Sequence, residues 1–160
     1  MLFVTLGSQK FQFNRLLKAI DDLVDSGEIK EEIFAQKGYS DYTPNNYSCK
    51  NFLDRNEYLK FISRADIVIT HGGSGAIMGA VKKGKKVIAV PRLAKYGEHV
   101  DDHQLQIIKQ FTRSNLIADC NNLDDLGKLI KSVQTQEFDK YISCTQRYID
   151  ELDHFISSCV

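Results

Sequence analysis

Short apolar runs alternate with longer amphipathic stretches along the chain. "LFVTL" at 2–6 reads as a buried strand closed by Gly7 and Ser8. Phe13, Leu16, Leu17, Ile20, Leu23 and Val24 then recur at helical spacing, and Gly27 stops that helix. Ile33 to Ala35 predicts a second short strand. Residues 37–46 are polar, contain Pro44, and read as a loop, with "YSCKNF" at 47–52 as a third strand. Asn56 is placed to cap a short helix carrying Tyr58, Leu59, Phe61 and Ile62. "DIVIT" at 66–70 is the clearest strand; a glycine turn and a helix to about Lys83 follow it. "KVIAV" at 86–90, closed by Pro91, leads through a polar loop to a helix around Asp102–Phe111. "LIAD" at 116–119 is the last strand, and Asp124 would cap a helix carrying Leu126, Leu129, Ile130 and Val133. Tyr141, Ile142, Tyr148, Ile149, Leu152, Phe155 and Ile156 form one stripe of a C-terminal helix at about 138–158.

The runs at 66–70 and 86–90 are apolar at successive positions, so both faces of those strands are covered. Strand–helix alternation over the whole chain predicts a Rossmann-like, doubly wound α/β fold with a parallel sheet, as one domain over 1–160. Composition narrows the function. Lys plus Arg equal Asp plus Glu at 21 each, so no basic excess points to nucleic acid. Cys49, Cys120, Cys144 and Cys159 are widely spaced, which suits reduced cytosolic thiols better than disulfides or a zinc site. The N-terminus lacks the pattern of a signal peptide, and no run is long enough to span a membrane.

Ligands of such a sheet bind beyond the carboxyl ends of its strands. There the chain places "THGGSGAIMGA" at 70–80. Its glycines allow close backbone approach, and the helix that starts near Ser74 offers unpaired N–H groups and a positive dipole end. Together they suit a phosphate. The spacing matches neither GxxxxGK[ST] nor GxGxxG. His71 can donate to that phosphate or merely order the turn, and the glycines can equally serve close helix packing. The second constellation is "PRLAKYGEHVDDHQ" at 91–104. Its dense donors and acceptors suit a polyhydroxylated ligand such as a sugar; alternatively it is a solvated loop in which Asp101 or Asp102 caps the next helix. His99 and His103, at i and i+4 with carboxylates between them, also have metal-ligand spacing, but no HExxH pattern or cysteine supports a metal and none is expected.

Taken together, "VTLGS" at 4–8, "DIVITHGGSGAIMGAVKKGKKVIAVPR" at 66–92 and "YGEHVDDHQ" at 96–104 resemble the C-terminal, nucleotide-sugar-binding half of the GT-B glycosyltransferases of family 28. The likeness is strongest to small subunits of bacterial capsular and exopolysaccharide transferases. These are similar in turn to the catalytic subunit of the eukaryotic dolichol-linked N-acetylglucosamine transferase. The resemblance implies transfer from a UDP-sugar (galactose, glucose or N-acetylglucosamine) to a lipid-linked saccharide, with no cofactor and no metal. By position, Gly7, Ser8, His71, Gly72, Gly73, Ser74, Gly75 and Arg92 would hold the diphosphate. Phe52 and Leu53 would read the uracil. Glu98, Asp102, His103 and Gln104 would lie near the sugar and ribose. The family's ribose-binding glutamate falls at Gly79, which leaves Glu98 as its candidate substitute.

The catalytic base is left open: it lies on a partner, or it is His71 or Asp102. A GT-B enzyme needs two halves and this length supplies one. The resemblance therefore implies a membrane-anchored, acceptor-binding partner that holds the chain at the inner face of the plasma membrane. The C-terminal stripe is either a docking helix or, for most of its residues, packed back on its own domain; the second is the expectation. Two rival classes are a non-catalytic sugar-nucleotide-binding module and a UDP-sugar epimerase. The epimerase needs both halves in one chain.

Overall fold

A computed structural model describes residues 1–158. Six parallel strands form one sheet: β1 (Leu2–Thr5), β2 (Ile33–Gln36), β3 (Ser48–Lys50), β4 (Ile67–His71), β5 (Lys86–Val90) and β6 (Ala118–Asp119). Their order is β3-β2-β1-β4-β5-β6. The chain therefore works outward from β1 to β3, returns to the middle, and works outward again. That reversal opens a crevice between β1 and β4 at the carboxyl ends, where doubly wound sheets bind ligands.

Alternate residues of each strand feed two cores. Leu2, Val4, Ile67, Ile69, Ile88 and Val90 pack with α1 (Asn14–Asp25) and α5 (Leu126–Thr135) on one face. Phe3, Val68, Val87 and Ala89 pack with α2 (Arg55–Arg64), α3 (Ser74–Val81) and α4 (His103–Arg113) on the other. Both faces are covered, which is why β4 and β5 read as continuous apolar runs. The connection from β2 to β3 has no helix. Buried Asp21 anchors it instead, accepting from the Tyr42 hydroxyl at 2.7 Å, the N–H groups of Asn45 and Asn46 at 2.9 Å, and the Asn46 amide. Burial raises the Asp21 pKa, but these hydrogen bonds outweigh it and hold the carboxyl below its ordinary range.

Local details differ from the sequence expectation. The cap of α2 is Asp54, in a reciprocal capping box with Glu57, not Asn56. Asn122, not Asp124, accepts from the backbone ahead of α5. The C-terminal helix, α6 (Thr145–Ser158), starts later than predicted and does not pack back on the sheet. Ile142 is 80% exposed, and Tyr148, Leu152, Phe155 and Ile156 are all exposed as well. Cys49, Cys120 and Cys144 are free thiols; Cys159 lies outside the described residues. Among the described residues no helix is long and apolar enough to cross a membrane.

Candidate functional site

The crevice between β1 and β4 is walled by two glycine turns with one imidazole between them. Gly7 follows β1 with φ of 74°, a left-handed conformation that favours glycine. A Cβ on Gly7 would stand 2.6 Å from Cε1 of His71, and one on Gly73 would press on the same ring. The ring thus occupies the space that side chains at 7 and 73 would need. A Cβ on Gly72 would meet Cβ of Gln104 at 2.7 Å. These three glycines are steric requirements of the site itself.

Burial first, then the charge of Arg92, lowers the His71 pKa to about 4. The imidazole is therefore uncharged at neutral pH. It can order the turn or share a hydrogen bond with a ligand, but it brings no positive charge. Beside it α3 begins, with Gly73 as its cap residue and no side-chain capping bond. The N–H groups of Gly73, Ser74 and Gly75 find no partner among the described residues, and Ser74 and Gly75 are exposed. A helix N-terminus with free donors at the mouth of a crevice suits an anion.

Gln104 links the walls of the crevice. It is buried, and its Oε1 accepts from Gly72 N at 2.9 Å and from Arg92 N at 3.1 Å. One amide oxygen so ties the end of β4 to the end of β5. The Nε2 protons find no acceptor among the described residues, so that end of the amide remains for a ligand hydroxyl.

Two residues assigned to the ligand by sequence lie elsewhere. Arg92 is 1% exposed. Its guanidinium faces inward, donating to the carbonyls of Leu6 at 2.7 Å, Phe11 at 3.0 Å, Gln12 at 2.9 Å and Glu98 at 3.3 Å. It also lies over the Phe13 ring. It holds the loop after β1 against the loop after β5. Burial lowers its pKa to about 10, partly opposed by Glu98, so it stays charged. Glu98 is fully buried, bound bidentately by Arg15 at 2.9 Å and by Leu93 N at 3.0 Å. Its oxygens are taken, so it does not replace the ribose-binding glutamate. Asp102 is exposed and accepts from Ala94 N at 2.8 Å, while His103 contacts Asp101.

Beyond the carboxyl end of β3, Phe52 is exposed and edge-on to Tyr39 at 5.2 Å, while Leu53 packs into the second core. Sequence reasoning misses Tyr39. Its only signal there is an aromatic residue directly after a glycine in a polar loop. Gly38 brings it close: a Cβ on Gly38 would lie 2.9 Å from the Gly7 carbonyl oxygen.

Comparison with known proteins decides the family. Residues 1–146 match the glycosyltransferase family 28 C-terminal domain. The chain belongs to this family. A stretch of 56 residues, 35% of the chain, is 34% identical to the UDP-N-acetylglucosamine transferase subunit ALG13 of Candida albicans and covers 18% of that protein. Similar solved structures include CalG4, the calicheamicin glycosyltransferase (TM-score 0.64, 14% identity, 85% of this chain and 34% of that one). MurG of Acinetobacter baumannii is another (0.58, 20%, 82% and 41%). The solution structure of ALG13 is matched nearly end to end (0.56, 16%, 94% and 93%). At such identities the structural likeness concerns the fold. The chain is the counterpart of one half of a GT-B glycosyltransferase and spans only 34% of CalG4 and 41% of MurG.

As a family 28 C-terminal domain, the chain has a gap at Gly79. A Cβ there would meet nothing within 4 Å, so the position has open space for the first carbon of a side chain and none is present. The two hydrogen bonds that Gln104 Oε1 accepts also alter what its removal should do. Gln104→Ala leaves two buried N–H groups unpaired, at about 1–3 kcal/mol each. Binding of UDP and of a UDP-sugar should therefore both weaken in calorimetry, the UDP-sugar more. Loss confined to the sugar would show that Gln104 does not shape the glycine turn.

Proposed function

We propose that the chain is the donor-binding, catalytic subunit of a two-component glycosyltransferase. It takes UDP-galactose, UDP-glucose or UDP-N-acetylglucosamine and serves a lipid-linked saccharide acceptor in exopolysaccharide or capsule synthesis. The observation that carries this reading is the free N-terminus of α3, set beside Gly7 and His71 at the switch point of a family 28 sheet. Gly7, Ser8 and the turn from Gly73 to Gly75 would take the diphosphate through backbone N–H groups, while the Gly72 N–H stays with Gln104. The paired rings of Tyr39 and Phe52 would offer the uracil one aromatic surface, with the backbone at Leu53 reading its edge. Asp102, His103 and the free amide nitrogen of Gln104 would meet the sugar hydroxyls.

The chemistry follows from these placements. Departure of UDP needs the growing diphosphate charge stabilised, and fixed dipoles in a protected crevice do that without reorganising. Backbone donors and the α3 dipole would supply most of it, since His71 is neutral and the Arg92 charge lies beneath the loops. The acceptor hydroxyl also needs a base. Exposed Asp102 already holds Ala94 N, and His71 is a weak base at a pKa of about 4. A group on the partner subunit fits that role better. The relative named as a transferase subunit supports a two-component arrangement. The partner would be the membrane-anchored half, holding this chain at the cytoplasmic face.

Calorimetry on the isolated chain tests the donor assignment. UDP should bind more tightly than ADP or GDP, because the proposed backbone contacts at Leu53 would match the donor and acceptor edge of uracil and not that of a purine. Equal affinity for the three would overturn the uracil site.

A further inference from the structure

The loop between β5 and α4 carries a cluster that the donor reading uses only through His103. His99, Asp101 and His103 each offer one ligand atom, and these atoms all lie within 4.8 Å of one another. Nδ1 of His99 is 3.3 Å from Oδ1 of Asp101, and Nδ1 of His103 contacts that same oxygen. The two rings meet edge to face, 4.6 Å apart. His99 is buried, with its ring against Phe11 at 5.4 Å, so one ligand is held firmly. Asp101 is aimed at the first turn of α4, where its Oδ1 accepts from His103 N at 3.1 Å.

From this cluster we infer a binding site for a divalent transition-metal ion of the zinc class, formed by His99, Asp101 and His103 at the rim of the donor crevice. Two imidazoles and one carboxylate make a three-ligand set with room for water or a ligand oxygen. Bonds of 2.0–2.2 Å in a tetrahedron put neighbouring ligand atoms about 3.3–3.5 Å apart. The spacing of His99 to Asp101 already has that value. His103 must move outward, and its exposed side chain can do so. Two imidazole nitrogens disfavour magnesium and calcium, which take oxygen. The site adjoins Gln104, whose oxygen holds Gly72, so an ion there would brace the α4 turn that supports the crevice. His103 is common to this site and to the proposed sugar contact, and metal binding is measured without any donor present.

The test titrates the metal-free, reduced full chain with cobalt(II). One equivalent should produce visible absorption of a four- or five-coordinate ion, without a near-ultraviolet thiolate band, and zinc should abolish it. Asp101→Asn and His103→Ala, both at exposed positions, should each weaken cobalt binding by about 10-fold or more, the loss that even an outer-shell partner causes. Cys144→Ser should not change it. Circular dichroism checks the fold, and if one variant unfolds the other decides. No visible band, a thiolate band, or cobalt affinity unchanged in both variants would overturn the site.

Discussion

An Arg92→Met variant should melt roughly 6–12 °C below the unaltered chain, the shift expected for about 3 kcal/mol in a protein of this size. The reason lies in what the guanidinium holds. Four carbonyls, from Leu6, Phe11, Gln12 and Glu98, accept from it in a place that water does not reach. Methionine fills much of the volume but offers none of those donors. Removing a buried charge recovers some desolvation energy, and the stranded carbonyls outweigh it. Arg92→Lys keeps the charge, but its compact ammonium cannot span four acceptors, so it should fall in between. UDP binding by the fraction that stays folded should drop only through loosening of the loop after β1. A variant that melts normally yet loses UDP would return Arg92 to the diphosphate, where the sequence pattern placed it.

The second large effect concerns transfer. The purified chain should transfer little or no sugar to a lipid-linked acceptor, and co-expression with a membrane-anchored acceptor-binding subunit should restore it strongly. Holding donor and acceptor in register is worth about 7–11 kcal/mol of a barrier, and one wall of a cleft cannot supply it. The surface on which such a subunit would dock is the exposed stripe of α6, with Tyr148, Leu152 and Phe155. Leu152→Asp puts a charge in its middle. Assembly should weaken by about 30-fold or more, as for a central apolar contact, with UDP binding and circular dichroism unchanged. Efficient transfer by the chain alone, in membranes without any partner, would refute the two-component reading. Unaltered assembly by Leu152→Asp would move the docking surface elsewhere.

Much of the architecture is legible from residue pattern, and the reason is burial. β4 and β5 lie near the middle of the sheet with helices on both faces, so nearly every position is apolar and the runs stand out. β3 and β6 are edges of three and two residues, and there the pattern overestimates their length. The glycine turn is legible as a turn after a strand. What fills its steric gaps is not, because the contact between His71 and Gly7 joins two strands distant in sequence. Arg92 and Glu98 show the harder limit. A charged residue at the ligand edge of a sheet reads as a ligand group. Whether it points outward depends on distant partners that give no local sign. Arg15 lies 83 residues before Glu98, and Phe11 lies 81 before Arg92. Gln104 reads in sequence as a sugar contact, while in the fold its oxygen is committed to the backbone. The tail follows helical periodicity whether packed or free, so its exposure is beyond pattern alone.

The imidazole lodged between Gly7 and Gly73 also constrains how this turn can diverge. Gly73 has φ of −75°, which any residue tolerates, so the ring of His71 is what forbids a methyl group there. Gly73→Ala should be harmful in a chain that keeps His71 and mild in one where position 71 is already small. The two substitutions are thus ordered: a lineage must give up the histidine before it can alter the glycine. Gly7, held by its positive φ as well, would remain glycine along either route.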